Sequence, residues 1–337
     1  MLLPRFLADF IKETIFPIRK FKDMRTTLKR LVSNDPFADI PENAVLLGGI
    51  VGGTKPSQYS RSPGLWNRFF EVLGLKGKYL AFDLDRKEDL PAFLKTALEM
   101  PGFRDLTITK PYKALSFKLL PPLFHKTEIT DRARILESLN QLIRDPVSRT
   151  IIVDRTDGAG FVRALKKRAA LPGKKVLFIG SGGTALSVCF ELIREDAELT
   201  IVDLVPDDAH RIGAVLASIR KRSQKLTVSS DWDAIKELAA SSDIIIGAMP
   251  GITPFEPDAI RELPENCLFA DIHYSAEKAA FAAAVRKAGR VCVDGLQMRY
   301  GQFRFAAERC AGFLGFSPEM LEKHLDAIEE WFLAENP

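Results

Sequence analysis

Cysteine is scarce in this chain, and no two cysteines have the spacing of a redox pair or a metal site. Cys189, Cys267, Cys292 and Cys310 form no CxxC, and settings such as SVCF and RVCVDG are apolar. They read as reduced, buried thiols, and a cytoplasmic location is expected. Histidine is as scarce: His125, His210, His273 and His324 lie far apart without ligand spacing, so no metal site is expected and structural or surface roles remain. No charge of one sign prevails, because 48 basic residues face 44 acidic ones for a formal net charge of +4. That mixed surface argues against nucleic acid as a partner. Internal repeats and low-complexity tracts are absent as well.

Nor does the N-terminus hold an uninterrupted apolar run long enough to cross a bilayer, so no integral membrane segment is expected there. Leu3, Phe6, Leu7, Phe10 and Ile11 have helical spacing, and Pro17 breaks the pattern. Eight basic and three acidic residues stand between Met1 and Val32. A membrane-surface or targeting helix is one reading of residues 1–42; extra helices packed on the domain or at a subunit contact is the other. The interspersed acids favour the second. A homodimer stays open.

What the chain does have is length and apolar content. At 337 residues and 46% hydrophobic, it exceeds the size at which single cores stop growing, and two domains are expected. From Asn43 onward strand and helix patterns alternate: AVLLGGIVGG, SPGLWNRFFEVLGL, KYLAFDL, RKEDLPAFLKTALEM, DLTIT. This order predicts an α/β fold with a mainly parallel sheet. A substrate-binding domain is expected over residues 43–149, joined by returning C-terminal helices over 300–337, with a Rossmann-type dinucleotide-binding domain over 150–299.

The second domain carries the stronger signal. GKKVLFIGSGGTALSVCFELIREDAELTIVDL reads as strand, glycine turn, helix, strand, with Gly180, Gly182 and Ala185 in G-x-G-x-x-G/A spacing and Gly183 within the turn. Gly180 permits the tight turn, Gly182 lets a pyrophosphate approach the backbone, and Ala185 lets the helix pack on the strand. Asp203 closes the next strand 23 positions after Gly180, near the ~20 expected of an acid that binds ribose hydroxyls. A carboxylate there repels a 2′-phosphate, so NAD is favoured over NADP.

Within the first domain, LTITKPYKALSFKLL places Lys113 where a strand hands over to a helix. Hydride transfer between a dinucleotide and a secondary alcohol needs a group to take the hydroxyl proton, and Lys113 is a candidate. An ordinary lysine, with a pKa of about 10.4, is a poor base at neutral pH, so burial must lower the value or the residue acts mainly as a positioned donor, which a carboxylate partner would orient.

Around this framework YSRSP, TITKPYK, LESLNQL, DRTDGAGF, DIHYSAEK and DGLQMRYGQF follow in order. In that order they resemble the shikimate dehydrogenase family over about Asn43 to Gly312, closest in pattern to its NAD-using quinate/shikimate branch. The resemblance implies Lys113 and Asp157 as the catalytic pair. It implies Ser60 and Ser62 on the substrate carboxylate, Thr109, Asn140, Tyr274 and Gln302 on the ring, and Met298 beside the nicotinamide. The implied activity is reversible oxidation of a ring hydroxyl of shikimate or quinate, with 3-dehydroshikimate or 3-dehydroquinate as oxidised forms, as in the shikimate pathway of aromatic amino acid biosynthesis.

The chain departs from the family pattern at Thr107 and Arg155, each where asparagine is usual, at Tyr59 for histidine, and at GAMP, Gly247 to Pro250, for N-A-T-P. An inward-pointing Arg155 would favour a more anionic substrate or hold the Asp157 carboxyl low. Two other readings therefore stay open: a dehydrogenase for a modified cyclic polyol acid, aminoshikimate-like, and a non-catalytic ligand sensor. Retention of both Lys113 and Asp157 speaks against the sensor.

Overall fold

A computed structural model describes residues 18–38, 40 and 46–336; the apolar pattern from Leu3 to Ile11 lies outside them. Two compact units result, one ending at Thr156 and resuming at Phe303, the other Asp157–Gln302.

The first unit is built on a six-stranded sheet of order β2-β1-β3-β5-β6-β4. Its strands are β1 (Leu46–Gly52), β2 (Gly77–Asp83), β3 (Phe103–Ile108), β4 (Thr127–Ile129), β5 (Gln141–Arg144) and β6 (Ile151–Asp154). All pairings are parallel except those of β5, which runs antiparallel to both β3 and β6. The expected domain junction near residue 150 therefore falls inside this sheet. Asp145 accepts hydrogen bonds from the backbone of Val147 and Ser148 and turns the chain from β5 straight into β6, a reversal only an antiparallel pair permits.

Every position of β1 is buried, as a strand covered on both faces requires. The helix Ile18–Leu31 sets Phe21, Met24, Leu28 and Leu31 on the same core, spaced as one helical face. The helix Ser62–Val72 buries Leu65, Trp66, Phe69 and Phe70, and Trp66 stacks on Tyr79 with ring centroids 5.1 Å apart. At the C-terminus Arg304, 1% exposed, binds Glu308 at 2.8 Å, Glu322 at 2.5 Å and Asp326 at 2.9 Å. One guanidinium thus ties the helix Pro318–Ala334 to the end of the helix Gly295–Phe313.

The second unit holds a six-stranded sheet, entirely parallel, of order β12-β11-β10-β7-β8-β9. Its strands are β7 (Lys175–Ile179), β8 (Glu198–Val202), β9 (Leu226–Ser229), β10 (Ile244–Gly247), β11 (Leu268–Asp271) and β12 (Cys292–Val293). Counted within the unit this is the doubly wound order 3-2-1-4-5-6, whose ligand crevice opens where the order reverses, at the carboxyl ends of β7 and β10. Among the described residues no helix is long and apolar enough to cross a membrane, and no metal-binding cluster of His, Cys, Asp or Glu occurs. All four cysteines are free and buried. Burial pushes the Cys267 thiol up to about 11 and raises Cys189, Cys292 and Cys310 too, which keeps them protonated and unreactive.

Candidate active site

In the first unit the candidate residues gather at the carboxyl ends of β1 and β3. Thr109 N donates to Val51 O at 2.9 Å and Gly53 N to Lys110 O at 3.0 Å, so the TKPYK turn, with its cis Lys110–Pro111 bond, lies against the end of β1. Gly52 and Gly53 make that approach possible. A Cβ on Gly52 would overlap the Thr109 side chain, and one on Gly53 would stand 3.0 Å from both Pro111 Cδ and the Tyr112 hydroxyl. Tyr112 is buried and donates to Leu84 O at 2.7 Å, anchoring the turn from below. Lys113 follows as the first residue of the helix Lys113–Leu123, half-buried.

The loop after β1 is pinned from the neighbouring strand. Asp83, at the end of β2, accepts from the backbone N–H of Ser57 at 3.0 Å and from its hydroxyl. The short turn Pro56–Tyr59 then delivers Ser60 and Ser62, both half-buried. Ser60 Oγ accepts from Ser62 N at 3.2 Å, and the residue capping the helix Ser62–Val72 is Arg61, with no side-chain cap. Asn140, 1% exposed, accepts from Thr156 N at 2.6 Å and donates to Thr156 Oγ1 at 3.1 Å. Its role in the free protein is thus to hold the end of β6. Arg155 points inward, 5% exposed, and donates to Ser138 Oγ at 2.5 Å, so the segment 138–140 is gripped by both Arg155 and Thr156.

Sequence reasoning missed a buried polar cluster under this turn. Tyr79 donates to Asp105 Oδ1 at 2.9 Å and shares a 2.7 Å hydrogen bond with Thr107, and Gln141 Nε2 donates to Asp105 Oδ2. Burial pushes the Asp105 carboxyl up to about 8, against the lowering pull of the Tyr79 and Gln141 hydrogen bonds. Thr107, standing where the family has asparagine, is part of this cluster. Its one advance signal was a carboxylate in the middle of a strand, FRDLTI.

In the second unit the glycine turn has the shape a dinucleotide needs. Gly180 has φ +114°, and a Cβ there would stand 2.9 Å from the Ala248 carbonyl carbon. No side chain is accommodated where GAMP passes. A Cβ on Gly182 or Gly183 would instead enter open space at the start of the helix Gly183–Arg194. That clearance and the helix N-terminus behind it fit a pyrophosphate, and Ala185 is fully buried against the strand.

Asp157 begins the helix Asp157–Lys166 and is 4% exposed. The glycines of DGAGF serve two close crossings. A Cβ on Gly158 would overlap the Ser187 carbonyl, and one on Gly301 would overlap Gly160 O. Gln302 Nε2 donates to Asp157 Oδ1 at 2.8 Å. Met298 is buried, while Tyr274 is half-buried beneath Arg299.

Residues 52–142 match the shikimate dehydrogenase substrate binding domain. The chain is similar to the shikimate dehydrogenase (NADP(+)) of Carboxydothermus hydrogenoformans, 27% identical over 79% of this chain and 91% of the relative. It is likewise similar to that of Streptococcus sanguinis, 28% identical over 77% and 89%. In fold it is similar to shikimate 5-dehydrogenase from Listeria monocytogenes, a structure in complex with shikimate and NAD, with a TM-score of 0.69, 22% identity and coverage of 88% and 99%.

The expected preference for NAD is overturned by these relatives, named for NADP(+). The structure supplies a physical reason for the misreading. Asp203 is turned into the protein, its Oδ2 accepting from Ser181 Oγ at 2.5 Å and its Oδ1 from Val205 N at 2.8 Å. Its charge braces the glycine turn. The basic group beside that turn is Arg211, whose Nη2 reaches Ser181 O at 3.4 Å.

The matched domain, the relatives that align along most of both chains and the ordered motifs on this fold agree, and the chain is similar to shikimate dehydrogenases along most of its length.

Proposed function

We propose that this chain catalyses the reversible, NADP-linked oxidation of a ring hydroxyl of shikimate. The observation that carries the proposal is the TKPYK turn, held against β1 by Gly52 and Gly53 inside the matched substrate-binding domain. This packing fixes the backbone turn from which Lys113 projects, as positioning a proton-transfer group requires. Lys113 takes the hydroxyl proton in oxidation and returns it in reduction, with Asp157 as the carboxylate that the family pattern assigns to it. Ser60 and Ser62 offer hydroxyl donors to the ring carboxylate, and Thr109, Asn140, Tyr274 and Gln302 orient the ring hydroxyls. NADP, when bound at Gly180–Gly183, supplies the hydride acceptor. Arg211, whose Nη2 lies 3.4 Å from Ser181 O and 3.3 Å from Asp208 Oδ1, is the basic residue offered to its 2′-phosphate, while Asp203 stays with Ser181.

Quinate is the competing substrate, since it differs by ring unsaturation and one hydroxyl. The free, buried cysteines support a reducing, cytoplasmic setting. Purified protein is offered shikimate or quinate with NADP or NAD, and absorbance at 340 nm is followed. Faster reduction of NADP by shikimate is expected; activity with neither acid would remove the proposal.

A further inference from the structure

Gly48 lets one side chain cross a strand. It pairs with Tyr79 of β2 on one side and with Asp105 of β3 on the other, and a Cβ there would stand 2.7 Å from Tyr79 Cδ2. In its absence the Tyr79 ring, backed by Trp66, lies across β1, and its hydroxyl reaches Asp105 at 2.9 Å and Thr107 at 2.7 Å. Gln141 closes the circuit from β5. Its Oε1 accepts from Thr107 at 3.3 Å, and its Nε2 donates to Asp105 Oδ2.

Four side chains thus form a ring, and the number of protons decides whether every link is made. With Asp105 protonated on Oδ1, the carboxyl donates to Tyr79, Tyr79 to Thr107, Thr107 to Gln141, and Gln141 back to Asp105. With Asp105 ionised, Tyr79 donates to the carboxylate, and the single Thr107 proton cannot serve both Tyr79 and Gln141. One link is lost, and a charge is left on a residue 2% exposed. Burial accordingly holds this carboxyl at about 8. The titratable or charged groups facing it are Tyr79 of β2 and, around the small cavity beside it, Arg104 of β3 and Cys310 of the helix Gly295–Phe313; the helix Ser62–Val72 brings only Trp66, Phe69 and Phe70. Burial raises the Tyr79 phenol and the Cys310 thiol, so Asp105 is the group that changes charge.

The ring lies directly behind two residues read as substrate ligands. Thr109 stands two positions beyond Thr107, on the same side by strand alternation, Asn140 precedes Gln141, and Ile108 N donates to Asn140 O at 2.8 Å. We propose that Asp105 is a positioning residue which, through Thr107 and Gln141, holds Thr109 and Asn140 in place for the substrate and releases them when it ionises. The choice of ligand rests on the reading under Proposed function; the ring itself rests on its hydrogen bonds.

The test follows KM and kcat for shikimate with NADP, and calorimetric Kd, from about pH 6.5 to about 9.5 in wild type, Asp105→Asn and Thr107→Val. Asp105→Asn keeps one acceptor and one donor with no proton to lose, so its KM should match wild type within a few-fold near neutral pH. Above about pH 8 the wild-type KM and Kd should rise relative to Asp105→Asn by up to about tenfold per pH unit, because binding is confined to a shrinking protonated fraction. The kcat ratio and NADP affinity should not follow. Thr107→Val opens the ring at every pH and should raise KM several-fold near neutrality. KM does not depend on how much protein is folded, so a merely structural loss would leave the wild-type to Asp105→Asn ratio flat. A flat ratio, or a Thr107→Val KM equal to that of wild type, would overturn the inference while leaving the activity intact. Shikimate binding with this pH split but no turnover would uphold the inference and remove the oxidoreductase reading. No shikimate binding by wild type would remove both.

Discussion

Gln302 Nε2 donates to Asp157 Oδ1 at 2.8 Å, joining side chains 145 positions apart in the chain. The two helices that carry them cross on glycine, since a Cβ on Gly301 would overlap the backbone of Gly160. Asp157 is therefore oriented by the fold before any ligand arrives. Asp157→Asn should lower kcat by about 10²- to 10⁴-fold, the range for a lost acid–base partner, with NADP affinity little changed. Gln302→Ala should lower kcat less, because it loosens the carboxylate without removing it. Stopped-flow turnover with separate NADP titrations measures both, and equal effects would deny Gln302 an orienting role.

Cofactor choice is predicted to depend on Arg211 rather than Asp203. Arg211→Ala should weaken NADP binding by roughly 10-fold, the worth of a single charge-assisted contact, and leave NAD binding unchanged. Fluorescence titration of both dinucleotides reads the difference. A loss shared equally by NAD and NADP would place Arg211 in the support of the turn instead.

Asp105 predicts a pH dependence of stability. Its carboxyl is raised from an ordinary 3.8 to about 8 in the folded protein, so the folded state holds a proton that the unfolded chain has released. The stability it contributes is fully present below about pH 4 and is lost as pH rises through about 8. Wild type should therefore lose stability relative to Asp105→Asn between those limits, by at most about 1.4 kcal/mol per pH unit. Urea unfolding at pH 5.5, 7 and 8.5 gives the slope, and a gap that widened in favour of wild type would contradict it.

Arg304 predicts a purely structural loss. The buried guanidinium meets Glu308, Glu322 and Asp326, and Arg304→Ala leaves three like charges together. A loss of about 3 kcal/mol is expected, at the lower end for a broken buried pair because the acids are partly in water. Thermal and urea unfolding measure it, with catalytic constants of the folded fraction unchanged.

The parts of this molecule that were legible in the sequence are the locally encoded ones. Strand, glycine turn and helix from Lys175 to Arg194 follow one another without help from distant residues. The alternation of strands and helices likewise announced the α/β class. Placement of β6 in the first sheet was not readable, because it depends on pairing with β5 rather than on the composition of IIVD. Asp203 misled because residue type at a strand end is visible in sequence while the direction of its carboxylate is not; the Ser181 hydroxyl decides that. Tyr79, Asp105, Thr107 and Gln141 come from three strands and meet only in the fold. Arg299 stood in plain view within DGLQMRYGQF, yet nothing local ties it to Tyr274.

The central claim is that Lys113 handles the proton in NADP-linked oxidation of shikimate. The direct measurement is NADPH formation at 340 nm by wild type and Lys113→Ala, paired with NADP binding to each. Wild-type turnover with a loss of about 10²- to 10⁴-fold in kcat for Lys113→Ala, and NADP affinity retained, is the predicted result. Equal turnover by the two proteins would contradict the account.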